Sequence, residues 1–249
     1  MSSGYTILPP VYDRWQRTYD QDYSTLILPR VLSTIRTFRI PVSSMMDLAC
    51  GTGTLAIMMA RRGWKVCGID GSEGMIRVAT SKREMRRLGV TFLCQDMRHV
   101  RLPERVMLVT CLFDSLNHLL SPRGLLAAFR RVYASLLPGG YFVFDLNNER
   151  CYRTLWTRTG VVHHRAFTLV LRNSYDPGRH LGQVQVTLFE LQGTLYARSD
   201  ETVRERCYAD AEILRLLKKV GFRVRQREDF NFTGAGELGD VKTWWVVQR

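Results

Sequence analysis

Five short apolar runs, at residues 44–50, 65–70, 90–96, 106–113 and 141–146, are interleaved with segments of helical period. Ser72 is placed to cap a helix over 72–88, and Ser121 caps the next one, with Pro122 suited to its first turn. In that helix Leu125, Phe129, Val132 and Leu136 fall on one face, and Pro138-Gly139-Gly140 stops it. Apolar strands alternating with helices predict a parallel sheet buried on both faces. A chain of 249 residues, 45% hydrophobic, has the length and the apolar content for one large domain of this α/β class.

After the fifth run the period changes from helical to two. Residues 167–175 alternate, Asp176-Pro177-Gly178 forms a turn, Val184, Val186 and Leu188 alternate with polar neighbours, and a third run extends from Thr194 towards Tyr208. Three such runs predict an antiparallel insertion over 148–208, wet on one face. Helical period returns at Ile213, Leu216, Leu217 and Val220, and runs at 223–230 and 242–248 supply two further strands, for seven in the main sheet.

Other classes are excluded by composition. No stretch approaches the ~20 apolar residues of a membrane helix, and Met1-Ser2-Ser3-Gly4-Tyr5 carries neither the basic nor the apolar region of a signal peptide, so the cytoplasm is the expected location. Six cysteines include no C-x-x-C pair, and the first four fall in apolar runs, which reads as reduced core thiols and no metal site. The formal charge is +13, but the arginines are scattered from Arg14 to Arg249 without a dense run, which reads as a dispersed surface charge rather than a nucleic-acid footprint.

Gly51-Thr52-Gly53-Thr54-Leu55-Ala56 fits the G-x-G-x-x-G/A loop that can hold a pyrophosphate on a helix N-terminus. The surrounding charges argue for a different ligand. Asp47 lies late in the first run, and Asp70, Asp96, Asp114 and Asp145 lie at or near the ends of the other four. Ligands of open parallel sheets bind at those carboxyl ends, and no Lys or Arg lies within 47–60 to offset the acids. A cationic ligand without phosphate is favoured; S-adenosylmethionine, with its sulfonium and ammonium, meets that description.

Asp47-Leu48-Ala49-Cys50-Gly51-Thr52-Gly53 resembles motif I of the class I S-adenosylmethionine-dependent methyltransferases. Asp70 with Gly71-Ser72-Glu73-Gly74-Met75-Ile76, then Gln95-Asp96-Met97, Phe113-Asp114-Ser115-Leu116-Asn117-His118 and Leu136-Leu137-Pro138-Gly139-Gly140 resemble the family's later motifs in order. The resemblance implies a Rossmann-like fold with a mostly parallel seven-stranded sheet, its last strand antiparallel, and S-adenosylmethionine as cofactor. Ala49, Gly51 and Gly53 are then expected at its methionyl part, Asp70 and Gly71 at the ribose, Asp96 and Met97 at the adenine, with Met75 and Phe113 flanking the adenosine. Asp47 is expected to act on the ammonium through water or to hold the loop amides. Residues 1–40, with Val11-Tyr12-Asp13-Arg14-Trp15 and Asp22-Tyr23, look like the N-terminal lid of the family's small-molecule branch, which makes Tyr12 and Tyr23 candidates for the cofactor carboxylate.

Within that branch the insertion is similar to that of amino-sugar N-methyltransferases, and Tyr12 and His118 match the tyrosine and histidine that face the reaction centre there. This sequence departs from that group in Asp114-Ser115-Leu116-Asn117 before the histidine. Methyl transfer needs a deprotonated nucleophile in line with the methyl carbon, and His118 is the candidate base or, alternatively, a wall of the pocket. The expected activity is methyl transfer to an N or O nucleophile of a small molecule by a monomer or homodimer, with a nucleic-acid methyltransferase using the basic surface as the alternative. Arg206 is a candidate for binding an anionic group of the acceptor, with the insertion lying opposite the lid.

Overall fold

In the computed structural model the described residues are 5–17, 22–231 and 239–249; residues 1–4, which open both the expected lid and the signal-peptide reading, lie outside them. Two helices, α1 (Tyr12–Arg17) and α2 (Tyr23–Thr37), precede β1 (Ser44–Leu48). There follow α3 (Thr54–Ala60), β2 (Lys65–Asp70), α4 (Glu73–Ser81), α5 (Arg83–Leu88), β3 (Thr91–Cys94) and β4 (Val106–Cys111). A 3-10 turn (Ser115–His118) leads to α6 (Pro122–Ser135), β5 (Leu136–Asn147) and α7 (Glu149–Thr154). The insertion strands are β6 (Thr159–His164), β7 (Phe167–Asp176), β8 (Leu181–Gln192) and β9 (Leu195–Arg206), and α8 (Asp210–Val220), β10 (Arg223–Phe230) and β11 (Lys242–Gln248) close the chain.

The main sheet has seven strands in the order β10-β11-β5-β4-β1-β2-β3. β1 pairs in parallel with both β2 and β4, β2 with β3 and β4 with β5, whereas β11 runs antiparallel to β5 and β10. The chain moves outward from β1 to one side, then returns to β4 on the other, so a crevice opens beyond the carboxyl ends of β1 and β4 where the order reverses. Both faces are buried, as a near-continuous apolar sheet requires: Leu125, Phe129 and Val132 of α6 and Leu216 and Leu217 of α8 pack on one, and Ile27 and Val31 of α2 with Met59 of α3 on the other.

Two expectations about elements need correction. The helix expected over 72–88 is two helices, broken at Lys82, whose backbone is extended. The Thr80 and Ser81 hydroxyls bond back to the Ile76 and Val78 carbonyls at 2.9 and 2.8 Å, which competes with the helical ladder, and the Lys82 ammonium is drawn to Asp13 at 2.8 Å. The insertion has four strands and not three; β6 lacks a clean alternation because only Val162 of its six residues is buried. Nor does the insertion stand opposite the N-terminal segment. Its apolar face, with Phe167, Leu169, Val186, Leu188 and Val203, packs directly on Leu8 and Val11.

All six cysteines are free thiols, but of the four in the early runs only Cys111 is fully buried, while Cys94, at a strand end, is exposed. Among the described residues no helix is long and apolar enough to cross a membrane.

Candidate active site

Beyond the carboxyl ends of β1, β2 and β4 lies a cavity of about 790 Å³. Ala49, Cys50, Gly51 and Thr52 form its floor, Asp70, Gly71 and Met75 one side, Asp96 to Arg98 the next, and Phe113, Ser115 and His118 the far side. Tyr5, Tyr12 and Gln16 close it from the N-terminal segment, and Thr202, Val203 and Arg204 from β9. The structure thus gathers Tyr12, Ala49, Gly51, Asp70, Gly71, Met75, Asp96, Met97, Phe113 and His118 of the expected residues around one space.

Tyr23, Asp47 and Gly53 are not among its described lining residues. Gly53 starts α3 at φ +76°, and a Cβ there would sit 2.4 Å from the Phe92 ring, so its missing side chain serves packing under the loop. Asp47 is buried, accepts a hydrogen bond from the Thr110 hydroxyl at 2.7 Å, and is pushed up by burial to a pKa of about 7. The Tyr23 ring stands behind Phe113, centroids 6.0 Å apart.

The cavity suits a cationic, adenosine-bearing cofactor on its own terms. Gly51, at φ +55°, has no protein atom within 4 Å of where a Cβ would lie, so the loop backbone is open to a ligand. Asp70 accepts the Gly51 and Ser72 amides at 2.8 Å each, one on each carboxylate oxygen, which fixes the carboxylate and leaves each oxygen a second lone pair for a ribose hydroxyl. Burial raises its pKa and the amide bonds oppose that rise. Arg98 lines the cavity as a cation, but its guanidinium is clamped on Asp96, with Nε 2.9 and 3.0 Å from the two oxygens, and that clamp lowers the Asp96 pKa. The Arg98 charge is therefore paired where it lines the cavity.

The N-terminal segment is tied down at several points. Glu201 of β9 accepts the Thr6 and Ile7 amides at 2.8 and 3.0 Å and also the Tyr5 amide. Ser72 donates to the Tyr5 carbonyl at 3.2 Å, and the Thr52 hydroxyl of the glycine loop donates to Asp13 of α1 at 2.5 Å. The cofactor loop, the N-terminal segment and the insertion are therefore linked by polar contacts around the cavity mouth.

The His118 loop is built on a backbone outlier. Phe113 and Asp114 are both left-handed, at φ +61° and +55°, an uncommon state for non-glycine residues. Asp145 of β5 accepts both their amides, at 2.5 and 3.3 Å. Lys242 of β11, itself buried, bridges Asp114 and Asp145 at 2.5 and 2.8 Å. Asp114 and Asp145, expected on an acidic ligand edge, are not among the described lining residues and are neutralised in part by a lysine 128 positions away from Asp114. Donor atoms of Asp114, His118 and Glu205 lie within 4.8 Å of one another, a spacing a metal ion could use, yet at Asp114 the Lys242 ammonium already supplies the cation.

His118 ends the 3-10 turn and presents its ring to the cavity. Its Nδ1 lies 3.2 Å from the Arg204 carbonyl oxygen. A carbonyl only accepts, so Nδ1 carries the hydrogen and Nε2 keeps the lone pair of the neutral ring. Nε2 faces the Tyr5 hydroxyl at 3.4 Å and Glu205 Oε1 at 3.7 Å. Burial lowers the His118 pKa, against the pull of Asp114, which keeps the ring neutral near pH 7.

Arg206, expected at the acceptor, instead turns to α8, 3.8 Å from Glu212 and stacked over Tyr208; Arg204 lines the cavity in its place. His163 and His164 of β6 contact Thr168 and Phe167 and are not among the described lining residues. Sequence reading missed Tyr5, Arg204, Glu205 and Lys242. Glu205 sits in an alternating strand and reads as solvent-facing, and no local pattern marks the other three.

A family model described as a methyltransferase domain matches residues 45–140. A protein of Geobacillus sp. (strain WCH70), named as a methyltransferase, is 35% identical over 208 residues, covering 82% of this chain and 83% of its own. Among solved structures, an S-adenosylmethionine-dependent methyltransferase from Clostridium acetobutylicum superposes with a TM-score of 0.80 at 22% identity, covering 98% of each chain. CalS10, an amino pentose methyltransferase from Micromonospora echinaspora solved with S-adenosylmethionine bound, superposes at 0.75 with 22% identity over 96% of each chain. The chain belongs to the class I S-adenosylmethionine-dependent methyltransferases, and S-adenosylmethionine is its cofactor.

Proposed function

We propose that the enzyme methylates an N or O nucleophile of a small molecule, with His118 as the general base. The observation that carries this reading is the His118 ring: it lines the cavity and is neutral, with the Arg204 carbonyl fixing the hydrogen on Nδ1 and so leaving the lone pair on Nε2. Such a group can take a proton from an amine or hydroxyl at physiological pH.

The bound cofactor supplies an electrophilic methyl group. The chain's own contribution is to hold the partners and keep water out. Asp70 takes the ribose hydroxyls, Ala49, Gly51 and Gly71 give the backbone approach, and Met75, Met97 and Phe113 flank the adenosine. Asp96, whose oxygens already accept from Arg98, stands at the adenine amino group, and Tyr12, with Tyr23 behind Phe113, steadies the methionyl end. The N-terminal segment and β9 close the cavity, and exclusion of water sharpens every electrostatic contact inside it. Residues 1–40 act as a lid and 148–208 as the acceptor-side wall.

An acceptor of small size is supported by this closure, and CalS10, which shares the fold, acts on an amino pentose. The charge of +13 supports the other reading, a nucleic-acid substrate. A screen of tritiated-methyl transfer into cellular metabolite fractions and, separately, into unmodified tRNA and rRNA tests both. Label in a low-molecular-weight fraction is expected; label confined to RNA overturns the small-molecule reading.

A further inference from the structure

Beside His118 lies a carboxyl pair that the mechanism above leaves unused. Glu205 of β9 is buried, and its Oε2 accepts the Tyr152 hydroxyl of α7 at 2.8 Å and the Asn147 side-chain amide at 3.1 Å. One oxygen of its carboxyl group lies within 4.8 Å of one of Asp114. Two carboxylates this close repel, so that one of them keeps a proton. Lys242 decides which. The ammonium contacts Asp114 and Asp145 and makes no ion pair with Glu205. Burial disfavours the Asp114 charge, but Lys242 overcomes it and lowers the pKa, whereas burial and then the Asp114 charge raise that of Glu205.

We infer that Asp114 and Glu205 form a one-proton pair beside His118, Glu205 as the neutral acid and Asp114 as the anion, which stabilises the imidazolium when Nε2 takes the nucleophile's proton. The inference rests on His118 as base. Both are positioning residues, since neither is among the described residues lining the cavity. When the acceptor's N–H or O–H bond breaks, the new Nε2–H bond forms 3.7 Å from Glu205 Oε1, and the positive charge on the ring faces the Asp114 charge. No further proton need move.

Titratable groups face this cluster from several elements. Lys242 comes from β11, Asp145 from β5, Cys111 from β4 and Asp70 from β2. Tyr152 and Cys151 come from α7, and Tyr5 and Tyr12 from the N-terminal segment. The tyrosines and cysteines all have raised pKa values through burial and stay neutral. Lys242 and Asp145 offset one another, so one negative charge, on Asp114, remains against the ring, with Asp70 adding a weaker pull.

Two spectroscopic measurements test the pair without an acceptor. Infrared difference spectra between wild type and Glu205→Gln at neutral pH should show a protonated-carboxyl carbonyl band that the variant loses; absence of that band in folded wild type overturns the one-proton pair. NMR titration of the His118 ring should give the same midpoint in wild type and Glu205→Gln, because Gln, like the protonated acid, is neutral. In Glu205→Gln/Asp114→Asn, where Asn tolerates the left-handed backbone, the midpoint should fall by about 1 pH unit or more. A lower midpoint in Glu205→Gln alone, or an unmoved one in the double variant, contradicts the inference. If the double variant does not fold, the infrared band and the single variant still decide it. Failure of His118 as base would show elsewhere, as normal turnover in a His118 variant, with these spectra unchanged.

Discussion

Replacing Lys242 by methionine keeps the apolar stem but deletes an ammonium that bridges two carboxylates, at 2.5 Å from Asp114 and 2.8 Å from Asp145. Asp145 is 1% exposed and cannot recover its lost partner from water. Breaking a buried ion pair by removing one side costs about 3–5 kcal/mol. The Asp114 side chain is 21% exposed, which places the cost near the lower end, about 3 kcal/mol. Against a total stability of about 5–15 kcal/mol this leaves a folded variant, and with a urea m-value near 3 kcal/mol/M for a chain of this size the midpoint should drop by about 1 M. The deficit should also shrink on acidification. The Asp114 pKa is lowered in the folded state, so its contribution is present above the unfolded value of about 3.9 and fades as the pH falls through the folded one. Urea melts followed by circular dichroism at neutral and acid pH read both effects. A midpoint shift under about 0.3 M at neutral pH, or a deficit that grows on acidification, would refute the assignment of Lys242 as the clasp of the His118 loop.

Asp70→Ala should weaken binding of S-adenosylmethionine by about 1–3 kcal/mol in calorimetry, because a carboxylate that serves ribose hydroxyls disappears; an unchanged dissociation constant in folded protein would remove the ribose role. The two loop glycines should fail in different ways. Gly53→Val should lower the thermal midpoint, since its Cβ would meet the Phe92 ring, whereas Gly51→Val, which meets no protein atom at Cβ, should fold and lose cofactor affinity; equal loss of stability in both would contradict that division. Asp47, with a folded pKa of about 7, gives the wild type a stability that falls as the pH rises from about 4 towards 7. Asp47→Asn should therefore gain on the wild type across that window, and parallel stability curves would show that Asp47 titrates normally.

The alternation of apolar runs with helical segments was enough to read the parallel sheet, and the Ser121 and Ser72 caps are seen at their expected amides. β6 escaped because one buried valine in six residues is no pattern. The break at Lys82 escaped because it comes from hydroxyls back-bonding and from Asp13, a residue far away in sequence. At the site the motif residues lie where strands end, so their neighbourhood was readable from local order. Gly53 shows the limit of that reading: a motif glycine can be required by Phe92 beneath it as much as by a ligand above. Lys242, Glu205 and Tyr5 were illegible for a different reason. Each is recruited by tertiary pairing, and an acid or lysine in a strand reads as a wet surface residue until its partner is known.

In the proposed mechanism His118 takes the acceptor's proton. Single-turnover methyl transfer by wild type and His118→Asn, with the acceptor found by the metabolite screen and cofactor affinity measured alongside, tests it most directly. The variant should react about 10²-fold or more slowly, with the affinity for S-adenosylmethionine nearly unchanged and the acidic limb of the wild-type pH profile absent. A variant that turns over at close to the wild-type rate across the pH range would contradict it.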